Sequence, residues 1–358
     1  MTMNNRFNPK KPISIYGFGG FGKQIASELK KNGIPVKYFI DQKAKKGMFV
    51  DGIECINTHE ITSDVEQVVI GIFNRDLSPK KIEKILVEKK IKTIIGFGEL
   101  SNYFPEFRIS SFWYDSALDV KDFGSKSEKI IKLLFDQRSR VIFQDLLKYR
   151  GSGMISDHLD GMGLDSQYFS PEIENWIKPS TKTCFVDCGA YIGDSLALAL
   201  YHKFEIETAY CFEPDLKNFL KLNEFIKKFK GIQAHLIPCG TYSQTKRLSF
   251  NESGTEGSCL SENSQNLIQV ISLDDYFYNI KFNFLKIDVE GMDLDTLRGA
   301  MQTILLNRPY IAVSIYHRPG DLWDIPIFLY EKLEKYQFHL RQHGHNGMDT
   351  IFYCIPID

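Results

Sequence analysis

The sequence predicts an α/β protein built from two open, mainly parallel sheets, the smaller one preceding the larger. Three observations predict it. Strand-like apolar runs alternate with amphipathic helical segments over residues 1–107 and again from 179 onward, which argues for parallel strands with helices on the sheet faces. Each stretch opens with a strand that runs straight into a glycine turn and a helix. The length, 358 residues, also exceeds one ordinary domain of about 150.

Composition narrows the class. Hydrophobic residues make up 43% and charged residues 25%, as in soluble globular proteins, so a disordered tail, a collagen-like chain and a small disulfide scaffold are excluded. Lys plus Arg is 44 against 45 Asp plus Glu, a net charge of −1. That balance gives no global electrostatic footprint for nucleic acid or an anionic membrane. No apolar run approaches the roughly 20 residues that span a bilayer, and the N-terminus lacks the apolar core of a signal peptide. The seven cysteines form no CxxC pair. Cys184, Cys188, Cys211, Cys239 and Cys354 lie in or beside apolar runs and read as reduced thiols of a cytoplasmic protein.

In the first module, PISIYGFGGFGKQIASELKKNGIPVKYFID is strand, glycine turn, helix, strand, with Ile25, Ala26 and Leu29 on one helix face. VEQVVIGIF and KTIIGFG are further strands, and SPKKIEKILVEKKI between them carries Ile82, Ile85 and Leu86 at helical spacing. Gly17, Gly19 and Gly22 fit GxGxxG, with Asp41 following twenty-four residues after Gly17. Such a turn at a helix N-terminus cradles a phosphate. Residues 108–178 read as a helical connector, with KSEKIIKLLFDQRSRVIFQDLLKYR as one long helical stretch and the glycine-rich segment after it as a lid or collar.

From 179 the strands are TCFVDCG, TAYCFEP, AHLIPCG, FNFLKIDVEG and YIAVSIYH. QFHLRQH and TIFYCIP follow, and the short GHNGMD between them predicts an antiparallel hairpin at a sheet edge. Open α/β sheets bind ligands at the carboxyl ends of their strands, so the informative residues are there. Asp187 ends the first of these strands, and a Gly189-x-x-x-Gly193 turn leads into a helix. Asp187 is placed to hold an amino group or bound water. Glu213 ends the second strand twenty-six residues later, where an acid accepts the hydroxyls of a ribose. Asp288 and Glu290 end the fourth, on one side by strand alternation; two carboxylates there suit a base, a metal or a held cation. His317, ending the fifth in Ser314-Ile315-Tyr316-His317-Arg318, is the natural proton acceptor near neutral pH. Arg341, His343 and His345 are expected to lean over the same opening, the two histidines also forming a metal half-site.

VDCGAYIGDS, CFEPDLKNFLKLN, IPCGTYS, ISLDDYF, FLKIDVEGMDLDTLRGA and SIYHRPGDLWDIP, in that order, resemble the FkbM family of S-adenosylmethionine (SAM)-dependent methyltransferases over about residues 165–358. The resemblance implies a class I, Rossmann-like methyltransferase fold, SAM as cofactor and O-methylation of sugars in surface polysaccharides. By position, it places Asp187, Gly189, Tyr191, Gly193 and Asp194 in the first SAM loop. Glu213 and Pro214 fall at the ribose, Gly240 and Thr241 toward the adenine, and Tyr168, in a segment similar to one that folds near the cofactor, completes the set. Tyr316 and Arg318, with Arg341, His343 and His345, are the substrate residues. IYGFGGFGKQIASELKKNGIPVKYFID with GIECIN resembles the front domain of PglD-type sugar acyltransferases, which implies a nucleotide-sugar clamp.

The reading is a methyltransferase for a sugar hydroxyl, with a nucleotide-activated sugar as partner and with room for a homo-oligomer. Asp288 and His317 share the chemistry. One accepts the proton and the other orients it or ligates a divalent cation, Mg or Mn. A polymer- or lipid-linked glycan acceptor, an NAD-dependent oxidoreductase and a non-catalytic nucleotide-sugar-binding protein are the alternatives.

Overall fold

The computed structural model describes residues 7–104, 106–116, 124–173, 176–177, 181–229, 231–251, 259–260 and 267–357. The chain divides into two compact units. Unit 1 comprises residues 1–124, 141–161 and 344–348, and unit 2 comprises 125–140, 162–343 and 349–358.

Six strands make the sheet of unit 1: β1 (Ile13–Tyr16), β2 (Val36–Ile40), β3 (Met48–Val50), β4 (Ile53–Ile56), β5 (Gln67–Ile70) and β6 (Thr93–Gly96). Their order is β3-β4-β2-β1-β5-β6, and every pairing is parallel except β3 with β4. All four β1 residues are buried, as expected of a strand covered on both faces. Ile25, Ala26 and Leu29 are buried on helix Gly20–Lys31, as their spacing predicts. The β3–β4 hairpin turns at Asp51-Gly52, both in left-handed conformation, a strong hairpin signal. A β-carbon on Gly22 would lie 2.1 Å from the Gly17 carbonyl oxygen, so this turn is closed on itself. A short hairpin, β7 (Ser110–Ser111) with β8 (Tyr114–Asp115), follows.

Unit 2 is organised by a seven-stranded sheet of β9 (Lys182–Cys188), β10 (Glu205–Phe212), β11 (Gln233–Ile237), β16 (Phe284–Ile287), β17 (Tyr310–Ser314), β18 (Tyr336–Gln342) and β19 (Thr350–Pro356). A small sheet lies between β11 and β16 in sequence: β12 (Gly240–Thr241), β13 (Lys246–Asn251), β14 (Cys259–Leu260) and β15 (Leu267–Ile271). The large sheet runs β11-β10-β9-β16-β17-β19-β18. The first five are parallel; β19 runs antiparallel between β17 and β18, leaving β18 at the edge. The predicted terminal hairpin is present. The connections reverse direction at β9 and β16, the switch point at which open sheets form a ligand crevice.

The expected 108–178 connector is shared between the units. Trp113 and Tyr149 pack ring to ring in unit 1, while Phe169 and Trp176 join Phe185, Phe284 and Tyr353 in the core of unit 2. These apolar side chains are all buried. The long helical stretch is two helices, Gly124–Leu133 and Gln137–Ser152. Asp136 separates them by accepting a hydrogen bond from the Ser139 amide at 2.6 Å, a local bond that competes with continuing the helix. Among the described residues, no helix is long and apolar enough to cross a membrane.

The tightest point in unit 2 is Gly189, at φ +81°, where a β-carbon would lie 1.9 Å from the Asp288 carbonyl oxygen. Gly189→Ala should lower stability by about 1–3 kcal/mol through backbone strain, and more through the clash. Urea unfolding measures it; a change below about 0.5 kcal/mol would contradict this packing.

Candidate active site

The parallel register of β9 and β16 sets Lys286 directly beside Asp187. Both side chains are buried, and Lys286 Nζ lies 3.0 Å from Asp187 Oδ1. Lys286 also donates to the Gly189 carbonyl at 2.6 Å and sits 5.2 Å from the centre of the Tyr168 ring. Burial pushes the Asp187 carboxyl up to about 6 against the pull of Lys286. For Lys286, burial opposes the charge, yet Asp187 and Asp288 outweigh it and hold the ammonium. Sequence reasoning missed Lys286. A lysine inside an apolar strand of the KIDVEG run was the available signal, because a buried charge needs a partner.

The turn after β9 is stabilised by Glu213 at the end of β10. Its carboxylate accepts from the Tyr191 amide at 2.9 Å and the Asp215 amide at 2.8 Å. Burial pushes Glu213 up to about 7. Asp187, Glu213 and the Gly189–Gly193 turn are thus brought together as expected. The glycines serve a different purpose: the missing β-carbons face the Asp288 carbonyl and the Phe225 ring, so they admit protein rather than ligand. Asp194 starts helix Asp194–Tyr201 on the exposed surface. Pro214 packs against Gly240. The Thr241 side chain is committed to Thr296, the two hydroxyl oxygens being 3.0 Å apart.

Beyond β16 the strand ends at Ile287, so alternation does not govern Asp288 and Glu290; Glu290 turns left-handed at φ +50°. Both still reach one histidine. His317 Nε2 lies 3.0 Å from Asp288 Oδ1 and 3.8 Å from Glu290 Oε2. Its Nδ1 lies 2.8 Å from Asp293 Oδ2. Asp293 also accepts from the Val289 and Gly291 amides, each at 3.1 Å, so it fixes the loop and the imidazole together. Burial opposes a charge on His317, but Asp293, Glu290 and Asp288 outweigh it and hold the pKa well above 6.5. Burial alone would raise Asp288; His317, Lys286 and the Tyr168 hydroxyl reverse this and keep it ionised. His317 therefore carries its proton at neutral pH. Asp288, Asp293 and His317 bring three ligating atoms within 4.8 Å, but both imidazole nitrogens face carboxylates as N–H donors do.

The expected substrate residues separate. Tyr316 is buried, its ring 4.3 Å from that of His317 and its hydroxyl 3.5 Å from Asp349. Arg318 lies at Gly291, beside the Glu290 loop. Arg341 does not lean over the opening. It is buried, with bonds of 3.0 Å to Glu172, 3.0 Å to Asp136 and 2.8 Å to Ser139. His343 is buried too, 2.8 Å from the Tyr353 hydroxyl, and burial pulls it down to about 4. His345 belongs to a group in unit 1 with His158 and Asp160, so the two histidines form no half-site. In unit 1, Gly17 and Gly22 close the turn, whereas a β-carbon on Gly19 would meet nothing within 4 Å. Asp41 follows β2 and accepts from the Lys43 amide at 2.8 Å.

Stability should follow the proton on His317, which Asp288, Glu290, Asp293 and Asp321 all face. A raised folded pKa means the contribution is full below about pH 6.5, the unfolded value, and is lost as pH rises through the folded value. The stability gap between wild type and His317→Gln should accordingly narrow from neutral to alkaline pH in urea titrations. A constant gap would contradict the charged imidazolium.

Residues 187–340 match the family model described as the methyltransferase FkbM domain. The whole-chain fold is similar to the crystal structure of methyltransferase FkbM from Methylobacillus flagellatus KT, with a TM-score of 0.77 and 23% identity over 98% of this chain and 91% of that one. At that identity the likeness is one of fold. Aeropyrum pernix fibrillarin, crystallised with S-adenosyl-L-methionine, overlaps at a TM-score of 0.34 and 10% identity over 54% of this chain and 74% of that one. An rRNA methylase from Streptococcus thermophilus overlaps at 0.31 and 14% identity, over 49% and 88%. No curated protein matches the chain. The site at the β9–β16 switch point therefore lies in a region that matches the methyltransferase FkbM domain, which supports a methyltransferase activity.

Proposed function

We propose that the protein is a SAM-dependent O-methyltransferase that acts on a sugar hydroxyl while the sugar is still linked to a nucleoside diphosphate, in surface-polysaccharide biosynthesis. The observation that carries the reading is the set of three carboxylates, Glu213, Asp187 and Asp288, at the carboxyl ends of the neighbouring strands β10, β9 and β16. The donor set fits the cofactor. Glu213 keeps lone pairs for the two ribose hydroxyls beyond its bonds to the Tyr191 and Asp215 amides. Asp187 Oδ2, fully buried, accepts no hydrogen bond, an opening for the ammonium or for bound water.

SAM, when bound, supplies a methyl group on a positively charged sulfur. The chain's own task is to hold the acceptor oxygen in line, and positioning of this kind supplies much of a displacement rate. Asp288, partly exposed and held ionised, accepts the hydroxyl proton as a hydrogen bond and takes it up as the new C–O bond forms. The oxygen becomes strongly acidic at that moment, so a weak base suffices. His317 and Tyr168 fix the Asp288 carboxylate. This version needs no metal, so added magnesium or manganese should leave the rate unchanged. Six described cysteines are unpaired thiols, which favours a cytoplasmic site of action.

Asp288→Asn should lower turnover about a hundred- to ten-thousand-fold with affinity for S-adenosylhomocysteine near normal. Glu213→Gln should weaken that affinity instead. Wild-type binding should strengthen as pH rises through about 7, where Glu213 ionises and accepts both hydroxyls. Calorimetry and single-turnover rates separate the two effects. Turnover within a few-fold of wild type in Asp288→Asn places the chemistry elsewhere, and a thermal shift with NAD but not with S-adenosylhomocysteine ends the methyltransferase reading.

The acceptor class rests on unit 1. Its twelve-residue helix Gly20–Lys31 has no acidic residue in its first turn, and Gly19 at its start faces open space. An uncompensated helix N-terminus favours phosphate. Turnover is expected on GDP-, UDP- or dTDP-linked hexoses or heptoses above free sugars, with Gly19→Asp raising KM for the nucleotide sugar and leaving S-adenosylhomocysteine affinity unchanged. Turnover on isolated polysaccharide alone refutes this acceptor.

A further inference from the structure

Unit 1 holds a side-chain cluster that methyl transfer does not use. His158, Asp160 and His345 bring three ligating atoms within 4.8 Å of one another. Asp160 Oδ1 lies 3.4 Å from His158 Nε2 and 3.3 Å from His345 Nδ1. A good N–H···O bond is shorter, about 2.9–3.0 Å. The observed separations instead equal the edge, about 3.3–3.4 Å, of a tetrahedron with about 2.0–2.1 Å from centre to corner. The His158 side chain is completely buried, and neither ring nitrogen has a hydrogen-bond partner. Buried polar atoms are almost always satisfied. An unpartnered imidazole facing a carboxylate and a second imidazole points to a ligand in the space between them.

We propose that His158, Asp160 and His345 bind one divalent transition-metal ion of the zinc type, through Nε2, Oδ1 and Nδ1 respectively. Two imidazoles and one carboxylate are a zinc donor set, and three ligands leave a fourth position for water or an outside ligand. Zinc takes each imidazole in its neutral form, so its binding releases any proton held there. The Gly161 amide donates to His345 Nδ1 at 3.3 Å, a long bond on the lone pair that a metal ion would take in its place. The Ser78 hydroxyl donates to Asp160 Oδ1, which orients the carboxylate as supporting groups do around metal ligands. The His345 amide is tied to the Arg75 carbonyl at 2.8 Å. The ion would fasten residues 158–160 to His345, and the bonds of Ser78 and Arg75 hold both against the loop after β5, all within unit 1. Asp160, with a half-exposed side chain, leaves the site open to exchange.

The test uses the full chain, stripped with a chelator and titrated with zinc chloride. Calorimetry should show one equivalent bound, with a higher Tm. Cobalt in place of zinc should give the visible absorption of a tetrahedral N/O site. Asp160→Asn and His345→Gln should each weaken zinc binding at least about tenfold, while His317→Gln in unit 2 leaves it unchanged. Asp160→Asn alters a half-exposed group, so it decides the matter even if His345→Gln fails to fold. No zinc uptake by folded protein, uptake insensitive to Asp160→Asn, or uptake lost in His317→Gln would overturn the proposal.

Discussion

The buried pair between Asp187 and Lys286 governs the rest of unit 2. It joins the two central strands at the point where the sheet's connections reverse, and its ammonium also grips the Gly189 carbonyl. Two charges removed from water repay their desolvation only with good geometry and further hydrogen bonds. Here the parallel register supplies the geometry and the turn after β9 supplies the bonds. A pair of this kind adds little net stability compared with apolar packing, but loss of one partner is costly, about 3–5 kcal/mol. Its value lies in fixing where the β9 turn and the β16 loop meet.

From that fixed point the charges alternate outward. Lys286 and His317 are cations; Asp187, Asp288 and Asp293 are the carboxylates between and beyond them. Each buried charge faces an opposite neighbour, and Asp288, between Lys286 and His317, is the partly exposed carboxylate among them. On the proposed function, the histidine expected as a proton acceptor serves instead as a support for a carboxylate. The reason is electrostatic: one imidazole among several acids binds its proton too tightly to accept another.

Glycine in both units illustrates how one residue type serves different ends. At Gly22 and Gly189 the absent β-carbon lets a carbonyl of the same unit approach to contact. At Gly19 it faces open space before a helix whose first turn carries no acid. A motif alone does not distinguish the cases.

Sequence periodicity was sufficient for the α/β class, for the five parallel strands and terminal hairpin of unit 2, and for the strand ends that carry Asp187, Glu213, Asp288 and His317, because these depend on local alternation of apolar residues. Tertiary structure decided what local pattern cannot encode. Residues 108–178 are divided between two cores because Trp113 and Phe169 find aromatic partners in different units. Arg341 and His343 became buried supports, and His345 joined His158, because β18 and the turn after it bring each side chain to acids and hydroxyls distant in sequence. Lys286 gained its role, and His317 its proton, from neighbours contributed by other strands and loops. Charge state depends on distance in space, and the order of residues along the chain does not specify that distance.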